Sequence, residues 1–214
     1  MRLFLTSSFL TGPDQVQRFL QLLGKDPREA KLLFVPTASD NGGSDSQFYQ
    51  IKTLNDFSAL GFSPVWYSLR TKNREDLFRD LQDVDAIWVG GGNTFYLLQE
   101  ARRSGFLEVV SALTREKNIL YGGTSAGSIL AASSIEIAGM GEDGDVNAVG
   151  ISDLSALGLF TGSIQVHYES SLHDSFLTTL EQAHPLYVVP DGGAIVVDGA
   201  GVELMGNASI MKVE

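Results

Sequence analysis

Five residues, GTSAG at 123–127, carry the most chemistry in the chain. Their G-x-S-x-G spacing matches a sharp strand-to-helix bend that lifts a serine hydroxyl clear of a sheet. The spacing has a physical reason. Ser125 must project above the strand ends, and small residues at 123 and 127 let strand and helix approach. The N–H of Ala126 then opens the helix where an oxyanion would form. The bland reading is a tight turn between a buried strand and its crossover helix. Context favours a nucleophile, because the apolar ILY precedes the turn and the Ala-rich SILAAS follows it.

A serine nucleophile needs a proton acceptor near neutral pH, and the chain holds three histidines. His184 precedes Pro185 in a loop. His173 falls inside an amphipathic helical segment and is expected on the surface. His167 ends the strand-like SIQVH and is the candidate base, although a strand-end histidine is more often a hydrogen-bonded structural residue. Asp191, in VVPDGG, is the candidate acid that orients the imidazole; its bland reading is an ordinary Asp-Gly turn. Asp143, Asp145 and Asp153, between Ser125 and His167, compete for that role. The run GGGNT at 90–94 offers backbone N–H groups at Gly91 and Gly92 as the second half of an oxyanion hole. That requires its strand to neighbour the one ending at Ser125. The same run starts a helix with Asn93 or Thr94 as cap. Neither glycine-rich phosphate-loop pattern is present, which disfavours a nucleotide cradle.

The elements that must position these residues alternate along the chain. RLFLTSS and KLLFVPTAS are short apolar runs ending in small polar residues, with GPDQVQRFLQLLG between them at helical spacing. DSQFYQIKTLNDFSALG repeats the helical pattern and FSPVWYSL follows as a strand. NREDLFRDLQDV reads as a helix capped by Asn73. DAIWVGGG is a strand, and NTFYLLQEARRSGFLEVVSALTREKN is one or two helices broken near Gly105. ILYGGTS, SIQVHYES, PLYVV, AIVVDG and GVELMG complete the strands, with helix SLHDSFLTTLEQ among them. The pattern predicts an α/β fold: a mostly parallel sheet with helices on both faces and a C-terminal antiparallel hairpin. Residues 1–214 are expected to form one domain. Function in such a sheet gathers in the loops at the carboxyl ends of the strands. Here those are 36–44, 90–94, 122–128 and 167–170.

Charge narrows the partners. All of the net charge of −11 lies in residues 118–214, which hold one base, Lys212, against twelve acids. No basic footprint for nucleic acid exists there, and an acidic field favours cationic or amine-bearing ligands. No apolar run approaches the ~18–20 residues of a membrane span. The start, MRLFLTSSFLTG, reads as a first strand rather than a signal peptide. Cysteine is absent, so no thiolate chemistry is available, and neither a metal site nor a cofactor is expected. The expectation is a soluble cytoplasmic protein with no nucleic acid or membrane partner and a homodimer left open.

Taken together, FVPTAS, IWVGGGNTFYLLQEARRSG, GGTSAGS, QVHY and VVPDGGAIVVDG resemble the successive signatures of the aspartyl dipeptidase (dipeptidase E) and cyanophycinase family of serine peptidases. The resemblance runs from Met1 to about Gly206. It implies a fold similar to class I glutamine amidotransferases, with serine in place of their cysteine. It also implies hydrolysis of short peptides from the N-terminal end without metal or cofactor. Ser125 matches the nucleophile and His167 the base. Asp191 falls where dipeptidase E has a glutamate; a family description with the acid between Ser and His would point to Asp143 or Asp145. Dipeptidase E holds the substrate's first aspartate with an arginine shortly after the histidine. Here no Arg or Lys exists between residues 118 and 211, and Glu169 and Asp174 follow the histidine instead. The reading is therefore a serine exopeptidase not restricted to N-terminal Asp. Its rivals are a non-catalytic peptide-binding or sensor protein on the same fold, and an amide hydrolase acting on a non-peptide.

Overall fold

A computed structural model describes residues 1–42, 44–180 and 184–211, without the side chains of 44–46. The elements in order are β1 (Arg2–Thr6), α1 (Gly12–Leu23), β2 (Leu32–Val35), α2 (Ser44–Ala59), β3 (Val65–Trp66), α3 (Arg74–Asp80), β4 (Ala86–Val89), α4 (Thr94–Ser104), α5 (Phe106–Glu116), β5 (Leu120–Thr124), α6 (Ala126–Ile129), β6 (Ser163–Val166), α7 (Ser170–Leu177), β7 (Leu186–Val189), β8 (Ala194–Asp198), β9 (Gly201–Met205) and β10 (Ser209–Met211). Seven strands form one sheet in the order β3-β2-β4-β5-β1-β8-β9. From β3 to β1 all neighbours are parallel, and β8 and β9 add the antiparallel C-terminal hairpin. The fold is the expected α/β arrangement.

Period-two alternation explains why both faces of this sheet are covered. On β1, Leu3 and Leu5 join one apolar cluster while Phe4 joins another. On β4, Ile87 and Val89 face the first cluster while Ala86 and Trp88 face the second. A strand buried on both sides reads as an uninterrupted apolar run, as LFL, LLFV and AIWV do. Local chemistry sets the helix ends as predicted. Asn73 forms a reciprocal capping box with Asp76 at the start of α3. Gly105, at φ 81, separates α4 from α5.

Four expectations need correction. A second, three-stranded sheet exists, ordered β10-β7-β6, and it holds the strand that leads to His167. Strand length and apolarity report that a strand exists and leave its partner undetermined. The Ala-rich stretch after Ser125 gives only the single turn α6. Beyond it the chain runs extended against residues 155–160, with Ala131 O accepting from Leu159 and Phe160 N–H. The strand in FSPVWYSL is two exposed residues, Val65 and Trp66. His173 is fully buried, not on the surface. Helix α7 ends at Leu177; the expected continuation reaches 181–182, outside the described residues, as is Gly43 in the 36–44 loop.

Candidate active site

The loops that matter leave adjacent strands. Val89 of β4 pairs with Gly123 of β5, and Thr6 of β1 pairs with Thr124, so the chain after each of these strands emerges at one sheet edge. This meets the requirement that the glycine loop after β4 lie beside Ser125.

Ser125 occupies a backbone position that L-residues rarely adopt, φ 52 and ψ −115, at the mouth of α6. Its N–H donates to Thr6 O at 3.0 Å, tying the bend to β1. Gly127 is needed because a Cβ there would lie 2.1 Å from Val89 O. The non-glycine residues with positive φ among the described ones are Asn118, Ser125 and His167. Two of these three are the candidate nucleophile and base. Strain of this kind, of order 1–3 kcal/mol per residue, persists only where the surroundings enforce it, and it concentrates at functional positions.

His167 stands one residue past β6. Its Nε2 lies 3.0 Å from Ser125 Oγ, and its Nδ1 lies 2.7 Å from Asp191 Oδ1. Asp191 follows β7, the parallel neighbour of β6. None of the competing acids bonds the His167 ring. Asp145 accepts from Thr94 N–H at 2.7 Å, and Asp153 pairs with Arg102 at 3.1 Å. Asp143 sits 3.2 Å from His173 Nε2, an ion-pair distance without hydrogen-bond alignment, since that nitrogen has no directed partner.

Ser7 is a member of this group that the sequence reading passed over. Fully buried at the end of β1, its hydroxyl accepts from His167 N–H at 2.8 Å and donates to Asp191 Oδ1 at 2.8 Å. A hydroxyl has one proton. With that proton on Asp191, Ser7 Oγ, 3.2 Å from His167 Nδ1, cannot also donate to the ring. The arrangement suits the tautomer with Nδ1–H on Asp191 and a free lone pair on Nε2 facing Ser125. The available signal was the small polar TSS at the end of β1.

The glycine loop is held from behind. Gly91 O accepts from Ser39 Oγ at 2.7 Å and from Gln50 Nε2 at 3.1 Å. In a trans peptide the next N–H points the opposite way, so clasping this carbonyl also sets the direction of Gly92 N–H. Gly92 has φ 137, and a Cβ there would lie 2.3 Å from Ala38 O. A Cβ on Gly91 would lie 3.1 Å from Ser125 Cβ, which puts the loop directly beside the serine. Among the described residues, no acceptor engages the N–H of Gly91, Gly92 or Ala126. Ser39 ends the noted PTAS run; Gln50 gave no sequence signal.

A cleft of about 570 Å³ opens at Ser125, with Phe9, Leu10, Tyr49 and Lys52 in its walls. A smaller cavity of about 80 Å³ lies across Ser125 and His167, bordered by Asp143 and Asp145. Neither Glu169 nor Asp174 lines the cleft, so the acids that follow the histidine do not form the expected negative wall. Asp174 accepts the Tyr168 hydroxyl at 2.6 Å; burial and that bond push the phenol up to about 12.

Such an arrangement can take a proton from a hydroxyl, attack a carbonyl and receive the resulting oxyanion on backbone amides. Comparison with known proteins agrees with that chemistry. The model of peptidase family S51 matches residues 3–205. The chain belongs to that family. As an S51 peptidase it is a hydrolase of the serine type. It is similar to an uncharacterized peptidase of Pasteurella multocida, 29% identical over 214 residues that cover 96% of this chain and 98% of the relative. It is also similar to peptidase E of Citrobacter koseri, 30% identical over 171 residues that cover 79% of this chain and 69% of the relative. A solved structure assigned as a peptidase E of Listeria monocytogenes superposes with a TM-score of 0.79 at 27% identity, covering 95% of this chain and 97% of that one.

Proposed function

We propose that the whole chain acts as one domain, a serine exopeptidase that cleaves short peptides from the N-terminal end through an acyl-enzyme on Ser125. The observation that carries the reading is the unbroken hydrogen-bonded line Ser125–His167–Asp191, 3.0 and 2.7 Å long, at the floor of a peptide-sized cleft. His167 Nε2 takes the Ser125 proton as Oγ attacks the scissile carbonyl. The new oxyanion is received by the N–H groups of Gly91, Gly92 and Ala126. His167 then gives its proton to the departing amine, the C–N bond breaks, and Ser125 is left as an ester. A water, deprotonated by the same nitrogen, attacks that ester and restores the serine. Asp191 keeps Nδ1 protonated, and Ser7 holds both partners in place. The relative named peptidase E supports peptidase action.

The same reading leaves the first residue unrestricted to aspartate. What supports this is that α7, the helix after His167, carries no Lys or Arg. The test is a panel of dipeptides and longer peptides incubated with the wild type and with Ser125→Ala. Release of the N-terminal residue from Leu- and Asp-initiated dipeptides is expected, with turnover in Ser125→Ala lower by at least about 10,000-fold. Undiminished turnover in that variant would remove Ser125 from the mechanism.

A further inference from the structure

The two cavities at Ser125 differ in charge. They share Gly92, Ser125 and His167 as a common wall. Lys52 is the only Lys or Arg among the described residues lining the larger cleft. Of the acids there, Asp191 is engaged by His167 and Ser7, and Asp56 by Lys52 itself. The smaller cavity carries Asp143 and Asp145, the latter accepting from Thr94 N–H, and no Lys or Arg among the described residues that line it. The larger cleft thus offers a cation beside two engaged acids, and the smaller one offers two carboxylates with no Lys or Arg beside them.

We propose that Lys52 anchors the C-terminal carboxylate of a short peptide whose scissile carbonyl sits at Ser125, an inference that rests on the serine-peptidase reading above. A dipeptide is a zwitterion. Its ammonium is on the carbon next to the scissile carbonyl, and its carboxylate belongs to the leaving residue. Laid across Ser125 with the carboxylate in the larger cleft, it turns the ammonium toward Asp143 and Asp145. The reverse orientation would set a carboxylate against two acids. Helix α2 is built to offer the anchor. Tyr49, Lys52, Thr53 and Asp56 recur at three- and four-residue intervals and so share the face of α2 that borders the cleft. An ammonium has three donors; Asp56 occupies one and steadies the side chain, leaving others for a ligand. Lys52 is 57% exposed, so it gains a second carboxylate with little desolvation. Such an anchor measures peptide length, because only a substrate ending one residue beyond the cleaved bond places its carboxylate there.

The experiment compares Leu-Leu, its C-terminal amide Leu-Leu-NH₂ and Asp-Leu-NH₂ as substrates of the wild type, Lys52→Gln and Lys52→Arg. The wild type is expected to favour the free acid over its amide about five- to tenfold in kcat/KM, mainly through KM, with the ratio shrinking at high salt. Lys52→Gln should bring that ratio close to one, and Lys52→Arg should retain most of it. An unchanged ratio in Lys52→Gln would overturn the proposal. So would a preference for Asp-Leu-NH₂ over Leu-Leu-NH₂ that disappears in Lys52→Gln, which would assign Lys52 to the first residue's side chain. A wild type that cleaves none of the three would overturn the peptidase reading and this inference with it.

Discussion

The seven-stranded sheet and the three-stranded sheet contribute to the site in different ways. The first supplies Ser125 and the amides of Gly91, Gly92 and Ala126, all on backbone fixed within one to three residues of a buried parallel strand. The second supplies His167 and Asp191, which stand just past β6 and β7 with side chains 48% and 68% exposed. Backbone geometry imposed by glycines is rigid at no further cost in contacts. Two exposed side chains must be held by partners. Ser7, rooted in the large sheet, reaches both members of the small one and joins the two halves.

This contrast can be broken from either side. The larger effect is expected in the rigid half. Gly92→Ala would force a methyl group to within 2.3 Å of Ala38 O at a φ of 137, displacing the loop whose carbonyl Ser39 and Gln50 clasp. Loss of an oxyanion donor should lower kcat by about 100- to 1,000-fold. Steady-state kinetics beside a melting curve would check it, and a variant with near-normal kcat would exclude the loop from catalysis.

The seam between the sheets should give an intermediate effect. Ser7→Ala removes the hydroxyl that bonds the proposed base and acid while leaving Ser125 and the amides untouched. A fall in kcat of about 10- to 100-fold with KM nearly constant is expected, and Ser7→Thr should recover part of it. Kinetics indistinguishable from wild type in Ser7→Ala would mean that Asp191 and His167 hold each other unaided.

The smallest effect concerns the acids after the histidine. Since Glu169 lies outside the cleft wall, Glu169→Gln should change kcat/KM for Leu-, Asp- and Arg-initiated dipeptides by less than about twofold. A shift that depends on the first residue would return Glu169 to the substrate's path.

The same division explains how much could be read in advance. GTSAG and GGGNT announce themselves because each glycine answers a steric demand within a few residues of sequence. Gly127 meets Val89 O, and Gly92 meets Ala38 O. The parallel sheet was equally legible, since strands buried on both faces leave no alternative composition. His167 and Asp191 could be chosen by chemistry and by their strand-end places, but the sheet that brings them together was invisible. Pairing of β7 with β6 and β10 depends on distant partners. Gln50 and Ser7 act through hydrogen bonds to residues 41, 160 and 184 positions away. His173 misled because helical periodicity in a short segment does not say which neighbour buries it. The negative half of the chain did not say which acids border the serine, because net charge has no address until the fold assigns each carboxylate a wall: Asp143 and Asp145 border it and Glu169 does not.

The central claim is that Ser125, activated by His167 across the seam between the sheets, is the nucleophile. The most direct test is intact-mass and peptide-mapping spectrometry after timed exposure to a fluorophosphonate probe, run on the wild type, Ser125→Ala and His167→Ala. One adduct per wild-type chain is expected, mapped to Ser125, with none in Ser125→Ala and labelling slowed by at least about 1,000-fold in His167→Ala. An adduct on another residue, or labelling of Ser125 at the wild-type rate without His167, would contradict it.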